Sequence, residues 1–124
     1  MNTLWIFLGG GIGSVARFWL SSTVLRATSG VFPAGTMAVN LLGCFVIGSL
    51  WALTERVPAA PAFRNFMFVG VLGGFTTFSS FGLETLNLMR AGEWRFALVN
   101  ILVSNVAGIG LAVLGFMIFR ALFR

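Results

Sequence analysis

The stretch Gly70-Val71-Leu72-Gly73-Gly74-Phe75-Thr76-Thr77-Phe78-Ser79-Ser80-Phe81 decides how this chain folds. It lies inside a long apolar run, which places it within a lipid bilayer. Its glycines loosen a helix, because each gives up a side chain and loses more backbone freedom on ordering. Hydroxyls follow on Thr76, Thr77, Ser79 and Ser80, with phenyl rings on Phe75, Phe78 and Phe81. A helix that merely crosses a membrane needs none of these. The expectation is a third membrane helix that breaks mid-membrane, within 73–77, and lines an ion path. Such a break frees backbone carbonyls at membrane depth, which is tolerated only where another group satisfies them. A bound cation is one such group, as in transporters with interrupted helices.

Working outward, the 124 residues are 58% hydrophobic and 9% charged, with a mean hydropathy of +0.99. A soluble domain of this size needs far more polar surface. A span takes about 20 mostly apolar residues, and windows near 4–25, 35–53, 66–89 and 96–119 qualify. The expected architecture is all-α, a single four-span domain over 1–124 with both termini on one side. Trp5, Trp19, Trp51 and Trp94 fall towards window ends, as interfacial anchors do. The N-terminal Met-Asn-Thr-Leu-Trp lacks the basic segment of a secretory signal, so the first apolar run is expected to stay as a span.

The charges are eight Arg and three Glu, with no Lys, His, Asp or Tyr. The net +5 is scattered at span ends and builds no basic face, so it suits lipid headgroups and not nucleic acid. Without His there is no nucleophile–base pair, and no metal-ligand cluster is visible; an enzyme and an organic cofactor are not expected. Cys44 is the sole cysteine and reads as a buried, inert thiol.

Polar groups inside the spans are the candidates for chemistry. Gly9 and Gly13, four apart, form a close-packing face in span one, which also carries Arg17. That arginine either snorkels to the interface or faces an aqueous vestibule where it favours anions. Thr36 and Asn40 share one face of span two. Asn40 is either interhelical glue or a donor of its NH₂ to an anion. Phe78 and Phe81, three apart, share one face of span three. A phenyl edge carries partial positive charge, so rings presented edge-on can host a small anion. Thr77 and Ser80 stand beside them as hydroxyl donors. Glu84 is either an interfacial carboxylate or part of a vestibule. Span four offers Asn100, Ser104 and Asn105, with Gly108 and Ala112 as small packing residues.

With four spans, one side holds Arg56, Arg64, Arg120 and Arg124 and the other Arg26, Arg90 and Arg95. So small a bias fixes no orientation. Oppositely inserted copies would pair about an axis in the membrane plane, as inverted repeats do, giving an antiparallel homodimer. Where the span-three breaks cross, carbonyls of both chains would converge and suit a small cation that prefers oxygen, Na⁺ for a site without carboxylates.

Three segments carry a resemblance to the Fluc/CrcB family of fluoride channels. They are Gly9-Gly10-Gly11-Ile12-Gly13-Ser14-Val15-Ala16-Arg17, Gly35-Thr36-Met37-Ala38-Val39-Asn40-Leu41-Leu42-Gly43, and Gly73 through Phe81 of the opening stretch. The resemblance implies a dual-topology antiparallel homodimer in the bacterial cytoplasmic (inner) membrane. It implies passive export of fluoride and a structural, non-transported Na⁺ at the dimer centre. Matched residue by residue, it assigns the Na⁺ to the carbonyls of Gly73 and Thr76, and the pore rings to Phe78 and Phe81. It puts Asn40 near the ion path with Thr36 beside it, and Thr77, Ser79, Ser80 and Ser104 along a hydroxyl track. Gly108 stands where some members carry a further hydroxyl. The rival reading is a small dual-topology multidrug exporter. Exporters of cationic drugs are expected to carry a central acid, whereas Glu55, Glu84 and Glu93 are not central and span one offers Arg17. A non-transporting scaffold would explain the glycines but not the hydroxyls, rings and amide.

Overall fold

The computed structural model describes residues 2–123. In chain order they form α1 (Asn2–Thr28), α2 (Ala34–Arg56), α3 (Pro61–Arg64), a π-helical segment (Asn65–Leu72), α4 (Gly73–Phe75), α5 (Phe78–Arg90) and α6 (Trp94–Leu122). α3 to α5 run on as one span, Pro61–Arg90, so four helical stretches of 27, 23, 30 and 29 residues are long and apolar enough to cross a membrane. The chain is an all-helical, multi-pass membrane protein. Arg124, counted in the charge balance above, lies outside the described residues.

The helices outrun their apolar windows at both ends. A helix of 27 residues rises about 1.5 Å per residue, more than the roughly 30 Å of hydrocarbon requires. Arg26, Arg56, Arg90 and Arg120 stand in the last turns of α1, α2, α5 and α6. There a cation is favoured by the unpaired carbonyls of the helix end. Hydropathy stops at the edge of the hydrocarbon; backbone hydrogen bonding does not. Trp51 anchors one end, edge-on to Phe68 at 5.8 Å and beneath the Arg64 guanidinium at 5.2 Å.

Packing rests on small residues. Lipid tails are as apolar as leucine, so helices associate by close backbone approach and not by escape from water. α1 lies against the π-helical segment and α4. A Cβ on Gly74 would stand 2.6 Å from the Gly10 carbonyl oxygen, and one on Gly70 would stand 2.9 Å from Gly9 Cα. A Cβ on Gly13 would run into the Val71 carbonyl. α2 lies along α6, where Gly48 meets the Ala112 carbonyl and Gly115 the Phe45 carbonyl. Few large apolar side chains are hidden within the chain; Val39, Leu72 and Leu88 are among them. Many others, Phe7, Phe18 and Val106 among them, face outward.

Beyond its π-helical segment, the third span leaves the helix at its threonines and not at Gly73 or Gly74. Gly73 keeps helical angles, φ −64 and ψ −37. Thr76 (φ −81, ψ 158) and Thr77 (φ −151, ψ 112) are extended, and helix resumes at Phe78. Gly70 and Gly74 serve to seat α1. The chain turns at the two threonines, where a side chain from another helix takes over both backbone groups of Thr77.

Candidate functional site

That side chain is Asn40. Its Nδ2 donates to the Thr77 carbonyl at 3.0 Å, and the Thr77 N–H donates to its Oδ1 at 2.8 Å. One amide therefore satisfies both backbone groups of an extended residue, as a neighbouring β-strand would. Asn40 thus does the bridging work foreseen in one reading. A primary amide has two N–H donors and Thr77 engages one, so the second is left for the cavity that Asn40 lines. Both readings of Asn40 are compatible with this geometry.

The same rearrangement releases carbonyls. In a continuous helix the Thr77 N–H would bond the Gly73 carbonyl and the Ser80 N–H the Thr76 carbonyl. Here Thr77 N–H goes to Asn40. Ser80 N–H goes to the Thr77 hydroxyl at 3.2 Å, capping α5. Gly73 and Thr76, the two residues assigned to a cation by resemblance, are therefore two of the four, with Gly74 and Phe75, whose helical donors are lost at the break. The Thr76 carbonyl receives a long contact, 3.5 Å, from the Arg17 guanidinium. Among the described residues no three His, Cys, Asp or Glu side chains gather into a metal-binding group.

Thr77 stands between two cavities. The larger, about 340 Å³ and open on one side, is walled by Asn40, Thr76, Thr77, Phe78, Phe81 and Ser104 among others. Cys44 also lines it, so the thiol read as buried is half-buried on a cavity wall. The Phe78 and Phe81 rings lie 5.4 Å apart and tilted by 42°. Phe81 is half-buried, whereas Phe78 is 78% exposed within the single chain. The second cavity, about 330 Å³, is lined by Ser14, Arg17, Ser21, Thr36, Ser80 and Glu84, with Thr77 and Phe18. Thr36 does not stay with Asn40; its hydroxyl donates to Glu84 Oε1 at 2.7 Å. Glu84 Oε2 is buried without a partner among the described residues. Glu84 and Arg17 thus line the same recess, and the carboxylate's partner is a threonine and not an arginine.

The hydroxyls beside Thr77 form a small fan. Thr77 Oγ1 lies 3.0 Å from Ser80 Oγ and 3.3 Å from Ser79 Oγ. Ser79 is on the exposed side of α5. Ser104 joins the larger cavity from α6 and donates to Asn100 Oδ1 at 3.4 Å. Asn100 is 2% exposed and donates to Thr85 Oγ1 at 2.9 Å. Thr85 was missed in the sequence. The signal was present, since it follows Phe81 by four residues, the spacing at which a threonine hydroxyl reaches the preceding turn's carbonyl.

A multi-pass membrane protein with polar, aromatic-walled recesses around an extended dipeptide is the class this architecture defines. A family model described as "CrcB-like protein, Camphor Resistance (CrcB)" matches residues 4–116, and the chain belongs to that family. A relative from Magnetococcus marinus, named "Fluoride-specific ion channel FluC", is 47% identical over 97% of this chain and 98% of its own. Relatives of the same name from Methylobacillus flagellatus and Parabacteroides distasonis are 49% and 43% identical. They cover 90% and 91% of this chain and 88% of their own lengths.

Proposed function

We propose that this chain is a fluoride-selective channel of the bacterial cytoplasmic membrane, through which F⁻ leaves the cell down its gradient. The reading is carried by one convergence. An amide, two phenyl rings and a serine hydroxyl wall one cavity, in a chain whose nearly full-length relative is named a fluoride-specific ion channel. Fluoride holds its water tightly, so a path must offer donors that replace the hydration shell, the mirror of carbonyls replacing that of a cation. Asn40's second N–H, the hydroxyls of Thr77, Ser79, Ser80 and Ser104, and the positive edges of Phe78 and Phe81 are those donors. Arg17 and Thr36 line the recess on the other side of Thr77 and form its mouth, with Arg17 attracting anions.

The working unit in this reading is an antiparallel homodimer of oppositely inserted chains. The large exposure of Phe78 in one chain is what a second copy would cover. The third-span interruption then lies mid-membrane at the two-fold axis. The diverted donors of Gly73 and Thr76 support a cation there. Na⁺ held by those carbonyls from both chains would satisfy oxygens that have lost their helical donors, without itself being transported. Crystals grown with a strongly scattering monovalent cation in place of Na⁺ are expected to show anomalous signal at the axis. Water at that position contradicts the assignment. The multidrug-exporter reading gains nothing, since Glu84 is held by Thr36 and shares its recess with Arg17.

The test of the function is efflux from liposomes reconstituted with the purified protein and loaded with fluoride or chloride. Fluoride is expected to leave and chloride to stay. Equal release of both, or release of neither, contradicts the proposal.

A further inference from the structure

We infer that Thr85 is a positioning residue for the anion path, acting through Asn100 and Phe81; the inference rests on the channel reading above. Thr85 Oγ1 donates to the Phe81 carbonyl at 2.7 Å and accepts from Asn100 Nδ2 at 2.9 Å. A threonine hydroxyl has one proton, and a carbonyl can only accept. The proton is thus committed to Phe81, and Asn100 must present its NH₂ to Thr85. That choice leaves Asn100 Oδ1 facing Ser104, whose hydroxyl donates to it at 3.4 Å. The orientation of every group in the chain follows from the Thr85 proton.

The hydroxyl-to-carbonyl bond of a threonine to the preceding turn is common in helices and alone would mean nothing. Two observations set this one apart. The second bond comes from another helix, from a side chain only 2% exposed, so it ties α5 to α6. The ends of the chain, Phe81 and Ser104, both line the larger cavity, while Thr85 and Asn100 do not. Bonds at the buried end are short and the bond at the cavity end is long. The buried pair holds the α5 turn that carries the Phe81 ring. The Ser104 hydroxyl is loosely held and can swing from Asn100 to an anion at small cost, because a long hydrogen bond is a weak one.

The experiment compares wild type, Thr85→Val, Thr85→Ser, Asn100→Leu and the Thr85→Val/Asn100→Leu pair in fluoride efflux from liposomes. Each protein is checked for a single folded species by size exclusion and thermal melting. Thr85→Val is expected to slow efflux about tenfold, the worth of one well-made hydrogen bond. Thr85→Ser, which keeps the proton, is expected to restore it to within about twofold, well inside that range. The pair is expected to be no slower than the slower single variant, as members of one chain are not additive. Should Thr85→Val fail to fold, Asn100→Leu against wild type, with Thr85→Ser as the retained-hydroxyl control, carries the same comparison. Folded variants that conduct within twofold of wild type, or Thr85→Ser as slow as Thr85→Val, overturn the inference and leave the channel reading standing. A wild type that moves no fluoride overturns both.

Discussion

Asn40 shows how one side chain can shape a backbone and still have chemistry to spare. Replacing it with aspartate keeps an acceptor for the Thr77 N–H but sets a carboxylate oxygen against the Thr77 carbonyl, where Nδ2 now donates at 3.0 Å. Asn40→Asp is therefore expected to destabilise the fold by about 1–3 kcal/mol, the cost of leaving a buried polar group without its partner, and to abolish fluoride efflux. Thermal melting and liposome efflux read the two effects separately; wild-type values of both contradict the account. The sequence could place Asn40 and Thr36 on one face but not their partners. Asn40 turns to Thr77 and Thr36 to Glu84, and helical spacing says nothing about which distant span a face meets. Thr85 escaped notice for the same reason: its bond to Phe81 is local and readable, whereas its bond to Asn100 on the next span is not.

Hydropathy and the arginines at the ends were enough to read four spans, because both follow from what lipid excludes. The internal state of the third span was less legible. A run of glycines signals both a loose helix and a close helix contact, and here Gly70 and Gly74 seat α1 while Thr76 and Thr77 leave the helix. The distinction predicts opposite outcomes for two small substitutions. Gly13→Ala pushes a methyl into the Val71 carbonyl and to 2.9 Å from the Phe75 nitrogen. It is expected to cost about 1–3 kcal/mol, as overpacking does. Gly82→Ala meets nothing within 4 Å in the chain and is expected to be neutral or to gain up to about 1 kcal/mol from helix propensity. Thermal melting in detergent distinguishes them, and equal melting of both variants contradicts the packing role assigned to α1.

For the whole molecule, the near balance of arginines across the two sides predicts insertion both ways. Fusions of a cytoplasm-active fluorescent protein and of a periplasm-active phosphatase to the C-terminus are both expected to be active in cells. Activity of one alone contradicts dual topology. The central claim is that the rings after the extended threonines form the path itself. Fluoride efflux from liposomes carrying the Phe78→Ile/Phe81→Ile double variant tests it most directly, with the variant first shown to elute as wild type does. The account predicts that fluoride stays inside the vesicles; release at the wild-type rate would contradict it.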